Sequence, residues 1–249
     1  MKKLVILIGL ILIFGISYSY EMIRLVESPT AGMLQKGESE ISTKMYNDNG
    51  LIVGASVGLF PRFMFGVNYG GEQIVGNQKP IWHDRVEFNA KLRILDESNT
   101  VPALALGYDS QGHGVYHKGY NRYDIKSKGF YAVASKNYFL LGNLGLHFGM
   151  NYTLETDDDD NEINLFAGLD KSIGNMVTLL LEFDPGWNDN DDWEDQTIKG
   201  LGHGYLNGAL NIHFTDFLIA KISFFDILEN RENTQGSDRT LSLFYKMSF

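Results

Sequence analysis

The sequence predicts an all-β fold: a transmembrane up-and-down antiparallel β-barrel of twelve strands, preceded by a cleaved signal peptide. Three observations predict it. The chain opens with an export signal, its remainder alternates polar and apolar residues with period two, and its connections alternate between short and long.

The export signal comes first. Met1-Lys2-Lys3 is followed by the apolar run Leu4–Ile16, 13 residues long, and by small residues at Ser17 and Ser19. A basic tip, a short apolar stretch and a small-x-small site are the parts of a signal peptide. The run is too short for a spanning helix, which needs roughly 20 apolar residues. The expected organisation is a signal peptide over 1–19, an irregular segment over 20–37 and a barrel over 38–249. The segment from Glu21 to Gly37 lacks strand alternation, so it either folds into the lumen as a small plug or lies in the periplasm.

Composition narrows the class further. There is no cysteine, which excludes disulfides and a lipid-anchored cysteine at the cleavage site. Processing removes two lysines and no acid, so the formal charge falls from -10 to -12. That balance argues against nucleic acid as a partner. Glycine is frequent (27 residues), aromatics reach 13% and proline is rare (5 residues), a composition that suits a membrane barrel.

The strands are read from alternation. Between 85 and 94, Arg85, Glu87, Asn89, Lys91 and Arg93 alternate with Val86, Phe88, Ala90, Leu92 and Ile94. The stretches 144–154 and 241–249 repeat the pattern. The same template yields strands at 39–46, 51–59, 63–70, 85–94, 103–109, 130–138, 144–154, 163–171, 176–184, 205–214, 217–226 and 240–249. Most are close to the roughly 9–11 residues that a tilted membrane strand requires. A soluble β-sandwich also alternates, but its single core could not cover so many full-length apolar faces.

The connections fit an outer-membrane barrel, with short periplasmic turns and long outer loops. Residues 60–62, 95–100, 139–143, 172–175 and 215–216 form the short set; 71–84, 110–129, 155–162, 185–204 and 227–239 form the long, polar set. The tight turn Asn47–Gly50 is the one short outer connection. Twelve strands place both barrel ends on the periplasmic side. Two aromatic belts are expected, with Tyr46, Tyr69, Tyr108, Tyr131, Tyr152, Phe183 and Tyr205 outermost and Phe63, Tyr138, Phe139, Phe214, Phe217 and Phe249 innermost. The terminal Phe249, with Tyr245 four residues before it, resembles the signal read by the outer-membrane barrel assembly machinery.

The second face of each strand is expected to line the lumen. Lys91, Arg93, Lys136, Lys221 and Lys246 fall in the periplasmic half, and Arg85, Glu182 and Asp184 in the outer half. Inward Gly66, Gly70, Gly107, Gly145, Gly149, Gly168, Ala105 and Ala134 leave space between them. A basic ring with room around it would attract anions, so these charged residues are the candidate solute contacts. Acidic runs at 157–160 and 189–195 belong to outer loops and are either solvated or bridged by divalent cations to lipopolysaccharide.

Other motifs carry less. Gly54-Ala55-Ser56-Val57-Gly58 matches a hydrolase nucleophile elbow, which needs a strand-to-helix turn, but here it falls mid-strand. Six histidines (His83, His113, His117, His147, His203 and His213) offer no serine–histidine pairing by depth and neighbouring strand. His113 and His117 share one loop but give only two metal ligands. No enzyme activity, cofactor or metal site is expected.

Ser28-Pro29-Thr30-Ala31-Gly32-Met33-Leu34-Gln35-Lys36-Gly37 resembles the opening of YjbH-type outer-membrane proteins, which are associated with exopolysaccharide and capsule production. The resemblance continues through Leu59-Phe60-Pro61-Arg62, Phe88 to Glu97, Val101-Pro102-Ala103-Leu104-Ala105-Leu106-Gly107 and Tyr131 to Lys136, covering roughly 28–155. It implies a barrel in the cell outer membrane of a Gram-negative bacterium, in contact with outer-membrane lipids and lipopolysaccharide and engaged with surface polysaccharide in an accessory or export role. The competing expectation, from the basic lumen alone, is a porin-like general diffusion channel for small anionic solutes.

Overall fold

The computed structural model describes residues 21–190, 199–231 and 236–249. The expected signal peptide at 1–19 lies outside the described residues, as does the acidic run from Asp191 to Asp195.

Twelve strands close into one antiparallel barrel. They are β1 (Glu38–Tyr46), β2 (Gly50–Phe60), β3 (Phe63–Glu72), β5 (Glu87–Leu95), β6 (Ala103–Asp109), β9 (Gly129–Phe139), β10 (Asn143–Tyr152), β11 (Asn164–Ile173), β12 (Val177–Asp184), β13 (Tyr205–His213), β14 (Leu218–Phe225) and β15 (Asp238–Ser248). Closure is made by β1, which pairs with β2 on one side and with β15 on the other, from Glu38 opposite Ser248 to Met45 opposite Leu241. With no open edge, the strands satisfy one another's backbone groups, as a span through lipid demands. All twelve strands expected from alternation are present, with ends within two residues of those expected.

Three short strands lie outside the wall: β4 (Ile81–Trp82), β7 (His113–His117) and β8 (Arg122–Ile125). Alternation did not reveal them. The last two form a hairpin within the connection read as a loop over 110–129.

The tight outer turn follows from its residues. Asp48 and Asn49 both hold φ of 55°, and the Gly50 N–H donates to the Asn47 carbonyl at 3.1 Å. Two central residues with positive φ define the turn whose twist matches a hairpin, and Asp and Asn tolerate that region.

The outer face is apolar and exposed. Phe88, Leu92, Leu106, Phe130, Leu146, Phe148, Met150, Leu181 and Leu243 all project from it. Together they far exceed the few hundred Å² that a soluble monomer exposes. The inner aromatic belt is as expected, with Tyr138, Phe139, Phe214, Phe217 and Phe249 exposed. The outer belt is smaller than expected. Tyr69, Tyr108, Tyr152 and Phe183 face outward, Tyr69 stacking on Trp82 at 5.7 Å and Tyr108 lying against exposed Phe130 at 4.9 Å. Tyr46, Tyr131 and Tyr205 instead point inward and are buried. The polar tip of tyrosine explains the difference: Tyr46 donates to Glu72 at 3.0 Å and Tyr205 to Asp189, partners that only the interior supplies.

Candidate functional site

The interior is built from every second residue of each strand, and the N-terminal segment runs through it. Leu25, Ala31 and Leu34 are fully buried. Met22, Leu25 and Val26 pack with Leu180, Ala209 and Phe225 of the wall. Ile23, Met33 and Leu34 pack with Met64, and Ala31 packs with Ala103, Ala105, Tyr131, Val133 and Phe166.

The small inward residues expected to leave open space receive large neighbours instead. A Cβ at Gly107 would meet the Tyr131 ring, and one at Gly149 the Phe166 ring. A Cβ at Gly168 would meet Leu25, and one at Gly58 the carbonyl oxygen of Gln35. Glycine here gives the segment and the inward rings their room.

Polar side chains of the wall hold the segment by its backbone. Lys91 donates to the carbonyl oxygens of Ile23 (2.7 Å) and Gly32 (2.8 Å). Arg93 donates to the Ala31 carbonyl through Nε (3.0 Å) and Nη2 (2.8 Å) and pairs with Glu21. Lys221 donates to the Leu25 carbonyl. The Glu182 carboxylate accepts the N–H groups of Val26 (3.0 Å), Glu27 (3.1 Å) and Ser28 (2.8 Å), and the Asn207 amide at 2.9 Å. A carboxylate facing three successive N–H groups is a charge-assisted clamp on main chain.

The remaining candidate residues are placed as follows. Asp184 pairs with Lys128 and accepts from Asn164 at 2.6 Å. Arg85 sits at the outer rim, half exposed, 2.6 Å from Glu87 and 4.7 Å from the centre of the Tyr116 ring. Lys246 stands opposite Glu40 near the periplasmic end. Lys136, expected on the lumen face, is not on it. Lys136 pairs across the sheet with lipid-facing Leu146, and its ammonium reaches Glu97 of the periplasmic turn at 3.1 Å. Ala134 shares that outward parity, opposite Phe148. The inward residues of β9 are Tyr131, Val133 and Ser135, because Ser135 lies opposite inward His147.

That register creates a contact the sequence reading missed. Ser135 Oγ lies 2.7 Å from His147 Nδ1, and His147 Nε2 lies 2.8 Å from Asp170 Oδ1. The Ala31 N–H donates to Ser135 Oγ at 2.8 Å, so this chain of side chains also ends on the segment. Ser56 of the elbow-like motif lies within β2, with no turn to a helix.

The outer mouth is covered by the β7–β8 hairpin. Tyr123, fully buried, donates to Glu87 at 2.9 Å. Arg122 pairs with Asp158 (2.6 Å) and Asp189 (2.7 Å), and Lys126 pairs with Asp158 (2.7 Å). Glu155 accepts the Tyr123 N–H at 3.0 Å, and burial pushes its carboxyl up to about 7. Burial likewise raises Asp189 to about 6 against the opposing pull of Arg122. Part of the acidic outer loops thus faces inward and pairs with the hairpin. His113 and His117 separate: His113 stacks on Phe225 at 3.7 Å, and His117 bonds Asp124 at 2.7 Å. Among the described residues, no three His, Asp or Glu side chains are grouped to hold a metal ion.

Two adjacent cavities remain, one of about 40 Å³ between the segment and strands β1, β14 and β15, and one of about 20 Å³ beside the hairpin. A water needs roughly 10–15 Å³ on this measure, so these spaces admit a few waters and no sugar ring.

The family model described as "Exopolysaccharide biosynthesis protein YbjH" matches residues 17–171, more than half of the chain. The chain belongs to the YjbH family. Among solved structures it is similar to the KdgM porin, at 9% identity and a TM-score of 0.50, over 85% of this chain and 99% of that one. The NanC porin (11% identity, TM-score 0.47) and Omp33 of Acinetobacter baumannii (10%, TM-score 0.45) also match over 85% of this chain, covering 99% and 97% of their own. No curated protein matches. The protein is therefore a YjbH-family β-barrel of the cell outer membrane.

Proposed function

We propose that this barrel serves surface exopolysaccharide in an accessory or export role, and that its own N-terminal segment closes the lumen at rest. The family match supports the polysaccharide link. One observation carries the closed lumen: the cations that would attract a solute, Lys91, Arg93 and Lys221, each donate to carbonyl oxygens of the segment, which occupies the space between them. An open diffusion channel for small anions would need those groups free. Polysaccharide, outer-membrane lipid and lipopolysaccharide are the proposed contacts, and the exposed Phe249 at the barrel's periplasmic end is the proposed handle for the assembly machinery.

Two measurements test the two parts. Deleting the gene should lower surface polysaccharide, with wild-type protein restoring it; unchanged polysaccharide would reject the accessory role. In planar bilayers the mature protein should conduct little, and removing residues 20–37 should produce steady currents. Steady currents from the intact mature chain would support the anion-channel reading instead.

A further inference from the structure

The interior holds one guanidinium, that of Arg24, with no direct partner among the described residues. The cavity of about 40 Å³ is lined by Arg24 of the segment, Lys44 of β1 and Lys221 of β14, with Ser42, Ser223 and Thr240 around them. Glu27 is the one carboxylate in that lining, and it is already paired with Lys44. Lys221 donates to the Leu25 carbonyl and lies over the Phe244 ring at 5.1 Å. Arg24 makes no hydrogen bond and no ion pair within 4 Å among the described residues; Asp109, Glu27 and Glu40 act on it only through space. Thr240 is buried, and its hydroxyl has no hydrogen-bond partner.

Arg24 is half-buried, and a guanidinium without a direct acceptor there still leaves five N–H donors in need of acceptors. The wall around it offers ammonium and hydroxyl donors beside one unpartnered acceptor, Gln111 Oε1, and this surplus of donors suits an acceptor carrying negative charge. The size of the space limits that acceptor. About 40 Å³ holds roughly three or four waters' worth of volume at roughly 10–15 Å³ each. We propose that this cavity binds one small inorganic anion, chloride or one of similar size, held between Arg24 of the segment and Lys44 and Lys221 of the wall. Such an ion ties the segment to β1 and β14, the two strands that flank β15, because Arg24 alone of the three cations travels with the segment. Anion binding therefore stabilises the closed lumen, and its loss loosens the segment.

The test uses bromide and a buried reporter. Ser28 is fully buried, its hydroxyl has no partner, and the chain has no cysteine, so Ser28→Cys gives one thiol that a maleimide reaches only when the segment opens. Crystals of the mature protein grown in bromide should show an anomalous peak beside Arg24. Labelling of the Ser28→Cys protein in detergent should be at least tenfold slower in sodium chloride than in sodium gluconate of equal ionic strength, and Arg24→Gln should remove that difference. Absence of the peak, or equal labelling in the two salts, overturns the proposal and leaves the cavity to water.

Discussion

The clamp on the segment makes a quantitative prediction for Glu182→Gln. The wild-type carboxylate receives three segment N–H groups at 2.8–3.1 Å, two of them on Oε2 and the Glu27 N–H on both oxygens, while Oε1 also accepts from Asn207. The amide keeps one acceptor oxygen and turns an NH₂ toward a donor. Hydrogen bonds to a charged group are worth roughly 1.5–3 kcal/mol and neutral ones roughly 0.5–1.5 kcal/mol. Weakening three bonds by about 1 kcal/mol each costs the closed state about 3 kcal/mol. At about 1.4 kcal/mol per tenfold, the population with the segment released rises roughly a hundredfold. The Ser28→Cys reporter reads this as a maleimide labelling rate, provided the segment recloses faster than the reagent reacts. The barrel wall should be unaffected, since Glu182 touches its strand neighbours chiefly through Asn207; gel migration of heated and unheated protein checks that. A folded Glu182→Gln barrel whose reporter labels no faster than the parent would refute the clamp.

Further outcomes follow from the same structure. Gly58→Ala should expel the segment at its periplasmic exit, because the added Cβ meets the carbonyl oxygens of Gln35 and Leu34 and no wall atom comes closer; the Ser28→Cys reporter should label faster while the barrel still folds. Phe148→Arg should lower folding stability in lipid vesicles by roughly 2–4 kcal/mol, the cost of a cation on the lipid face near the bilayer midplane, as read by urea titration. The outer hairpin should loosen as pH rises. Glu155 is held protonated up to about 7 by burial, whereas in an opened loop it releases its proton near its ordinary value of about 4.3. The closed cap therefore binds the extra proton between those values, loses stability as pH climbs through that window, and changes no further above it. Hydrogen exchange at the Tyr123 amide, corrected for its intrinsic rate, should show this dependence, and Glu155→Gln should flatten it.

The barrel wall was legible because lipid imposes one chemistry on every second residue. Val86, Phe88, Ala90, Leu92 and Ile94 could not alternate with Arg85, Glu87, Asn89, Lys91 and Arg93 for any other reason as economical. The interior was not legible in that way. A residue facing water and a residue facing a peptide carbonyl look the same in sequence, so Lys91 and Lys221 announce a polar lumen without saying what fills it. The carbonyls of Ile23, Leu25, Ala31 and Gly32 that answer them have no sequence signature at all. Glycine misled for a related reason: Gly107 and Gly149 do lack side chains, but the rings of Tyr131 and Phe166 occupy the room they leave. Where both faces of a strand are small or amphipathic, as in Tyr131-Ala132-Val133-Ala134-Ser135-Lys136, alternation gave the wrong parity. A shift of one residue exchanged Lys136 for Ser135 on the inner face and hid the contact of Ser135 with His147.

The wall residues that grip the segment come from both parts of the chain. Lys91, Arg93 and Ser135 lie within the region matched by the YjbH family, as does the segment itself, whereas Glu182 and Lys221 lie beyond residue 171. The two groups also act on different atoms. Lys91 and Arg93 take carbonyls at 23, 31 and 32, while Glu182 takes N–H groups at 26–28 and Lys221 the carbonyl at 25. The main chain of segment residues 25–28 is thus held by the later strands and that of the flanking residues by the earlier ones, while the Glu27 side chain pairs with Lys44 of β1. A segment held this way stays in place only once the barrel has closed, because neither half of the wall supplies all the partners. Closure of β1 against β15 and docking of the segment are therefore coupled. A variant that weakens the β1–β15 seam should release the segment even when Lys44, the seam residue that pairs with Glu27, is left in place.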